Sequence, residues 1–106
     1  MNITADIELK DGQLDRLGKT TPFRSISATF TYSNGKEREY SRIKTGVDVI
    51  AIEQALDYVV QLEKADQDGP HDLTLNITGT TVTAADQTRI NDRFTTTAEI
   101  NSVTFA

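Results

Sequence analysis

The most constraining feature of the sequence is a strand signal that leads directly into a tight-turn signal. Apolar residues occupy every second position from Ile26 to Tyr32, and Ser or Thr fills the positions between them, as in a strand with one buried face. Ser33-Asn34-Gly35-Lys36 follows, and Asn-Gly between two extended runs is a strong hairpin signal. The sequence therefore predicts that residues 37–44 return beside this strand, antiparallel to it.

The length of that turn decides which face of the sheet receives a row of basic and aromatic residues. This row, the basic stripe, occupies alternate positions of the return segment: Lys36, Arg38, Tyr40, Arg42 and Lys44. A two-residue turn sets Arg38 against Thr31 on the polar face, whereas a three-residue turn with a bulge at Gly35 sets Arg38 against Phe30 on the core face. We expect the two-residue turn, because it leaves Glu37 near the hairpin tip, where a carboxylate reaches water.

Three further segments have strand signals. Apolar and polar residues alternate from Ile3 to Leu9, a strand that Asp11-Gly12 is expected to end, and again from Leu73 to Ile77. In the segment 98–105 the apolar residues do not all fall on alternate positions, so the segment is either a strand with a bulge or not a strand at all. Residues 13–22 are interpreted as a connector, in which Leu14 and Leu17 form one helical turn at the edge of the core.

Two segments have helix signals. Apolar residues recur at helical spacing over about residues 47–65, with Thr45 as the expected N-cap. Residues 66–70 are expected to stop this helix, with Gly69 at its C-terminal end. A shorter helix is expected at 84–94, capped by Thr83 and burying Ile90 and Phe94.

These elements predict an α+β fold. We expect a mostly antiparallel sheet of four to five strands, in the order β-β-β-α-β-(α)-β, with one long helix packed on one face. The 106 residues are too few for two cores, so residues 1–106 are expected to form a single domain. Threonine is abundant (16 residues, ten of them within residues 74–104), which favours strands with a solvated face.

Composition removes most catalytic and metal-binding chemistry. The chain has no cysteine and a single histidine, His71, which excludes disulfides, thiol nucleophiles, thiolate metal sites and multi-histidine sites. We expect His71 to be a surface histidine beside Asp72. The sequence therefore predicts no catalytic residues, no metal and no cofactor, and hence a protein that is not an enzyme.

Two motif matches are interpreted as connecting segments. Residues 12–20 resemble a phosphate-binding loop and end in Gly-Lys-Thr, but five residues separate the glycines instead of four and a strand follows instead of a helix. Asp66, Asp68 and Asp72 surround Gly69, but a calcium loop would need more oxygen ligands and a terminal Glu, where this chain has Ile77.

Charge is segregated along the chain. The net charge of -5 comes from 16 acidic and 11 basic residues. The basic stripe is either a charged edge strand that resists aggregation or a binding surface with Tyr40 as its anchor, and we favour the first. An acidic row is expected on the outer face of the long helix: Glu53, Asp57 and Glu63. It is either an ordinary solvated face, which we favour, or a surface for a basic partner.

The leading functional hypothesis is a small acidic, non-enzymatic protein-binding module, such as a phage- or bacterium-encoded inhibitor or accessory factor that occupies a partner's surface. One alternative is a structural subunit of a homo-oligomeric assembly, such as a phage or secretion tube. Another is a binder of nucleic acid or a phosphate ligand through the basic stripe. The expected partner is another protein, with self-association left open and nucleic acid not favoured by the net acidity.

The same patterns bear on location. No apolar run approaches the length of a membrane span, and the first ten residues lack a secretory-signal pattern. We therefore expect no membrane contact and a location in the cytoplasm of a bacterial or virus-infected cell.

Overall fold

Five strands and two helices follow one another in the predicted order. A computed structural model describes residues 1–44, 46–67 and 69–106. The elements are β1 (Asn2–Arg16), β2 (Lys19–Tyr32), β3 (Glu37–Ile43), α1 (Asp48–Asp66), β4 (His71–Thr78), α2 (Ala84–Phe94) and β5 (Ile100–Phe105). The α+β class is therefore confirmed.

The strands form one mixed sheet in the order β3-β2-β1-β4-β5. The β1–β2 and β2–β3 pairs are antiparallel, whereas the β1–β4 and β4–β5 pairs are parallel. The expectation of a mostly antiparallel sheet is therefore wrong. The reason lies in the connections, because a helix between two strands carries the chain back to the end of the sheet where the first strand began.

Both helices, rather than one long helix alone, cover the same face of the sheet. Alternate residues of β1, β2 and β4 point to this face and form one buried cluster with apolar residues of α1 and α2. Ile90 and Phe94 of α2 belong to this cluster, at 0% and 1% exposure, which confirms the predicted short helix. Thr83 caps α2, since its side-chain oxygen accepts a hydrogen bond from the Asp86 N–H at 3.1 Å.

Neither α1 nor α2 lies on the opposite face of the sheet. We call it the open face, and its side chains are the alternate strand residues that the core does not use. Many are Ser and Thr, such as Thr29, Thr31, Thr74 and Thr104, as the threonine content predicted. In β5 the pairing shifts by one residue between Ile100 and Ser102, so the predicted bulge is present at Asn101.

The β2–β3 turn contains three residues, contrary to the expected two. The Tyr32 N–H donates to the Lys36 carbonyl at 2.8 Å, and the Gly35 N–H donates to the Tyr32 carbonyl at 2.9 Å. Arg38 consequently pairs with Phe30, which places the basic stripe on the helix-covered side. Gly35 adopts φ +90°, a conformation that glycine reaches without strain. This register keeps Glu37 in water and brings Arg38 towards an acidic partner on α1.

The β1–β2 hairpin extends well beyond the rest of the sheet. β4 accompanies β1 only as far as Glu8, and β3 accompanies β2 only from Ser25. Residues 10–24 therefore project as a two-stranded ribbon, which we call the arm. At about 3.3 Å per residue, each of its strands is roughly 20 Å long. The radius of gyration is 14.8 Å, whereas a compact domain of about 100 residues has about 13 Å.

Two expectations for the segment that forms the arm are wrong. Asp11-Gly12 does not end β1, and residues 13–22 are strands joined by a two-residue turn rather than a connector with a helical turn. The turn residues Leu17 and Gly18 have φ of 53° and 77°, as in the tight hairpin turns that match strand twist. No face of the arm is buried in a core, so its sequence lacks the strict alternation that predicted the other strands.

The ends of α1 also differ from expectation. Its N-cap is Val47, which makes no side-chain capping hydrogen bond, and the predicted cap Thr45 lies outside the described residues. At the other end Gln67 adopts a left-handed conformation and donates its N–H to the Glu63 carbonyl, so the helix ends before Gly69. Within the described ranges, no helix combines the length and apolar character needed to cross a membrane.

Candidate functional site

The first part of the basic stripe is paired within the molecule. The Lys36 Nζ lies 2.7 Å from the Asp66 carboxylate, and an Arg38 guanidinium nitrogen lies 3.8 Å from the same oxygen. Asp66 ends α1, so the stripe and the acidic end of the helix partly neutralise one another. A ligand at Lys36 or Arg38 would have to compete with this carboxylate.

The second part of the stripe packs against α1. The Tyr40 and Tyr58 rings have centroids 5.2 Å apart, and the Arg42 guanidinium lies over the Tyr40 ring at 4.7 Å. The Lys44 Nζ lies 3.4 Å from Asp48. Tyr40 therefore helps to attach the edge strand to the helix, and a role of the stripe in binding stays a prediction.

The expected acidic row on α1 is not an exposed row. Glu53 and Glu63 are buried, at 2% and 1% exposure, whereas the Asp57 side chain is 44% exposed. Glu53 faces α2, where the Arg89 Nε lies 2.7 Å from its Oε1 and an Arg93 nitrogen donates to its Oε2. The second helix explains the difference, because its arginines cover a carboxylate that a single helix would leave in water.

A buried polar cluster joins β2, α1 and β4. The Tyr32 hydroxyl donates to Oε1 of Glu63, and the His71 Nε2 lies 2.7 Å from Oε2 of Glu63. The Tyr32 and His71 rings meet edge to face with centroids 5.6 Å apart. The expectation of a surface histidine is therefore wrong, since His71 is 0% exposed. His71 lies two residues before Leu73 and four before Leu75, so strand alternation places it on the same buried face. This spacing was the sequence signal that could have predicted its burial.

A second cluster fixes the base of the arm. Arg24 donates two hydrogen bonds to the Asp48 carboxylate at 3.1 Å, one to Asp11 at 3.0 Å and one to the Gly79 carbonyl at 2.6 Å. The hydrogen bonds from Arg24 and then from Thr80 lower the pKa of Asp48 from 3.8 to about 2. One guanidinium therefore connects the arm to α1 and to the segment after β4.

The tip of the arm presents apolar side chains to solvent. Leu17 is 97% exposed and Leu14 is 51% exposed. Further down the arm the Phe23 ring lies over Gly12, so closely that a Cβ at Gly12 would come within 2.5 Å of it. Sequence reasoning assigned Leu14 and Leu17 to the core edge and missed this surface, although the Gly18-Lys19 pair after Leu17 was a turn signal.

The other predicted sites divide between the described and the undescribed residues. Residues 12–20, with their Gly-Lys-Thr ending, lie in the arm, where a hairpin turn takes the place of a helix N-terminus. Of the acidic trio at 66–72, Asp68 lies outside the described residues. In the part of the chain that is described, no three His, Cys, Asp or Glu side chains are grouped as they would be around a metal ion.

The comparisons with known proteins give no family. No protein-family model matches the chain, and no curated protein matches it significantly.

Proposed function

We propose that the protein is a non-enzymatic protein-binding module whose binding element is the arm. The observation that carries this proposal is the exposure of Leu17. Its side chain is 97% exposed at the tip of the arm, and its backbone is left-handed. An inhibitor or accessory factor of a bacterial or virus-infected cytoplasm is a specific form of this function and belongs to the same proposal.

The fold itself gains little from a leucine at this position. The first central residue of such a turn favours Asn, Asp or Gly, because φ is positive there, and a leucine in this conformation is uncommon. An exposed leucine also buries no apolar area in the isolated chain. A partner that covers the tip would bury it, and such apolar anchors supply much of the energy of protein interfaces.

The arm is also held in a defined position. Arg24 connects its base to Asp48 and Gly79, and Thr20 donates to Asp15 at 2.6 Å across the ribbon. A binding element that is already ordered loses less conformational entropy on association than a disordered loop does.

The test is the substitution Leu17→Asn, which suits the turn and removes the apolar anchor. Immobilised wild-type and Leu17→Asn chains are compared for the proteins they retain from a lysate of the source cells, with Lys64→Gln on α1 as the surface control. We expect Leu17→Asn to unfold at the same or a higher temperature and to lose the retained proteins. An unchanged retained set would contradict the arm as the binding element.

Two other functions stay open to direct measurement. A homo-oligomeric assembly would use the same exposed arm, and its test is the mass of the protein in solution. Binding of nucleic acid or phosphate through the basic stripe predicts that Arg38→Glu with Arg42→Glu abolishes retention on immobilised DNA or RNA. The ion pair of Arg38 with Asp66 makes this function less favourable than protein binding.

A further inference from the structure

The charged strand side chains on the open face of the five-stranded part of the protein, which we call the body, are all acidic, and the N-terminal ammonium acts on one of them, Asp72. Of the described strand residues that point to this face, five are carboxylates and none is basic: Asp6, Glu8, Glu37, Glu39 and Asp72. All five are exposed. Soluble proteins usually intersperse the two signs of charge over their surfaces, so a face of one sign requires an explanation.

The arm carries the opposite charge on the same side. Lys10, Arg16 and Lys19 continue the strand alternation of the open face onto the arm, and all three are exposed. Leu14 and Phe23 lie between them on this side. The two arm carboxylates, Asp11 and Asp15, lie on the other side, where Arg24 and Thr20 bond to them.

The basic tip of the arm is unfavourable for an isolated chain. Arg16 and Lys19 are directly opposite one another in the hairpin, and like charges in that position destabilise a strand pair. No acidic residue of the arm lies on their side. Their positive potential therefore extends into solvent, beside the exposed Leu17.

We propose that the arm binds the open face of a second copy of this chain, forming a symmetric dimer through two equivalent arm-to-body contacts. The proposal rests on the arm being the binding element and identifies its partner. A two-fold axis parallel to the sheet face and across the strands, near the base of the arm, lays each arm along the partner's body. Lys10, Arg16 and Lys19 then face carboxylates, and Leu14 and Phe23 are covered.

The distribution of charge favours a second copy over an unrelated protein. The acidic and basic areas lie on one continuous side of the same molecule, so a two-fold rotation matches each area with its complement, as a two-fold interface requires. An unrelated partner of the arm would leave the acidic face without a complement. Complementary potentials also direct and accelerate the encounter of the two copies.

The first measurement is the mass in solution of the full chain by sedimentation velocity. We expect a concentration-dependent dimer at low ionic strength that dissociates as salt is added, because exposed charge pairs are screened over about 10 Å at 0.1 M salt. A chain that stays monomeric at low salt and at about millimolar concentration would overturn the proposal.

Charge reversal then locates the interface. The arm variant is Arg16→Glu with Lys19→Glu, which keeps a like-charge pair in the hairpin and so leaves the cost to the fold comparable. The face variant is Glu37→Lys with Glu39→Lys. Each variant alone is expected to weaken dimerisation at least about tenfold, a change of about 1.4 kcal/mol. The controls are Lys64→Glu on α1 and Asp92→Lys on α2, which are expected to dimerise as wild type does.

The strictest test is whether combining the two variants restores the dimer. A mixture of the arm variant with the face variant is expected to form the mixed dimer, since each arm again meets a face of opposite sign. A single chain that carries all four substitutions is expected to dimerise by itself. The proposed interface would be overturned if either variant alone dimerised as strongly as wild type, or if the mixture of the two variants stayed monomeric.

These outcomes separate the dimer from the proposed function. A monomeric wild-type chain whose arm, tested by Leu17→Asn, still retains another protein would leave the binding function in place and remove the second copy as the partner. A dimer that survives Leu17→Asn but not the charge reversals would support the dimer contact and contradict Leu17 as the anchor.

Discussion

The His71 Nε2 lies 2.7 Å from the Glu63 Oε2, and neither side chain reaches solvent. The same carboxylate accepts the hydroxyl of Tyr32. Glu63 thereby joins the end of β2, the last turns of α1 and the start of β4. Buried carboxylates are stable only when their oxygens are paired, so the position of each element depends on the others.

Replacement of Glu63 by Ala is expected to destabilise the protein strongly. The change leaves a buried hydroxyl and a buried imidazole without the carboxylate, a loss of about 3 kcal/mol. Urea denaturation followed by circular dichroism measures this loss, with Asp92→Ala on the exposed surface of α2 as the control, expected within about 0.5 kcal/mol of wild type. Equal midpoints for the two variants would show that the cluster adds nothing to stability.

The Asp48 carboxylate is expected to make stability depend on pH in acid. Its pKa falls from 3.8 to about 2 on folding, so it stabilises the folded state above its unfolded pKa and loses this effect as pH falls through the folded pKa. Asp48→Asn should lower the free energy of unfolding by about 1–2 kcal/mol at pH 7. The difference in this free energy between the variant and wild type should shrink between pH 4 and pH 2. Urea denaturation of both proteins at several pH values tests this expectation, with the exposed Asp92→Asn as the control. A stability difference that does not change with pH would contradict the role of Asp48.

Two carboxylates of α1 bind the same arginine, but their removal is expected to have unequal effects. Arg93 donates to Glu53 and to Asp57, at 2.7 Å for the latter. The Glu53 side chain is 2% exposed and that of Asp57 44%. Glu53→Ala should cost about 2 kcal/mol, because it removes charge-assisted hydrogen bonds and a buried side chain, although the half-exposed arginines regain water. Asp57→Ala should cost less than about 1 kcal/mol. Denaturation of both variants beside Arg93→Ala, as a double-mutant cycle, gives the two coupling energies, and similar values would refute this ranking.

Two glycines with nearly the same φ are expected to differ in their tolerance of alanine. Gly18 and Gly79 have φ of +77° and +82°, so alanine pays a similar conformational cost of about 1 kcal/mol at either. A Cβ at Gly79 would lie 1.8 Å from the Leu9 carbonyl oxygen, whereas Gly18 has nothing within 4 Å. Gly79→Ala should therefore lower the melting temperature much more than Gly18→Ala, and equal melting temperatures would contradict the close approach.

The parts of the fold that were predictable are those in which one face of an element is buried. The alternation from Ile26 to Tyr32 and the helical spacing of apolar residues in α1 both arise because one face of each element packs against the core. These patterns were enough to predict the order of strands and helices along the chain. The direction of strand pairing is not a local property. The parallel neighbours of β4 follow from where the connecting helices return the chain, which no single segment encodes.

The errors at the candidate site have a related cause. The turn at Gly35 differs by one residue between two registers. The two-residue turn needs positive φ at both Asn34 and Gly35, whereas in the structure Gly35 has it and Asn34 does not. Glu53 and Glu63 looked exposed because the helix was considered without its neighbours. The arm has no buried face, so Leu14 and Leu17 had no pattern to place them.

The arm has a mechanical consequence, because its first strand is also the central strand of the sheet. β1 runs without interruption from the middle of the body to the turn at Leu17. Tension applied at the tip would act along β1 and β2 together and across the ladders that join β1 to β4 and β2 to β3. Such a load strains many hydrogen bonds together in shear instead of opening them one after another. The exposed tip of the arm is thus continuous with the central strand of the sheet, which is paired on both sides.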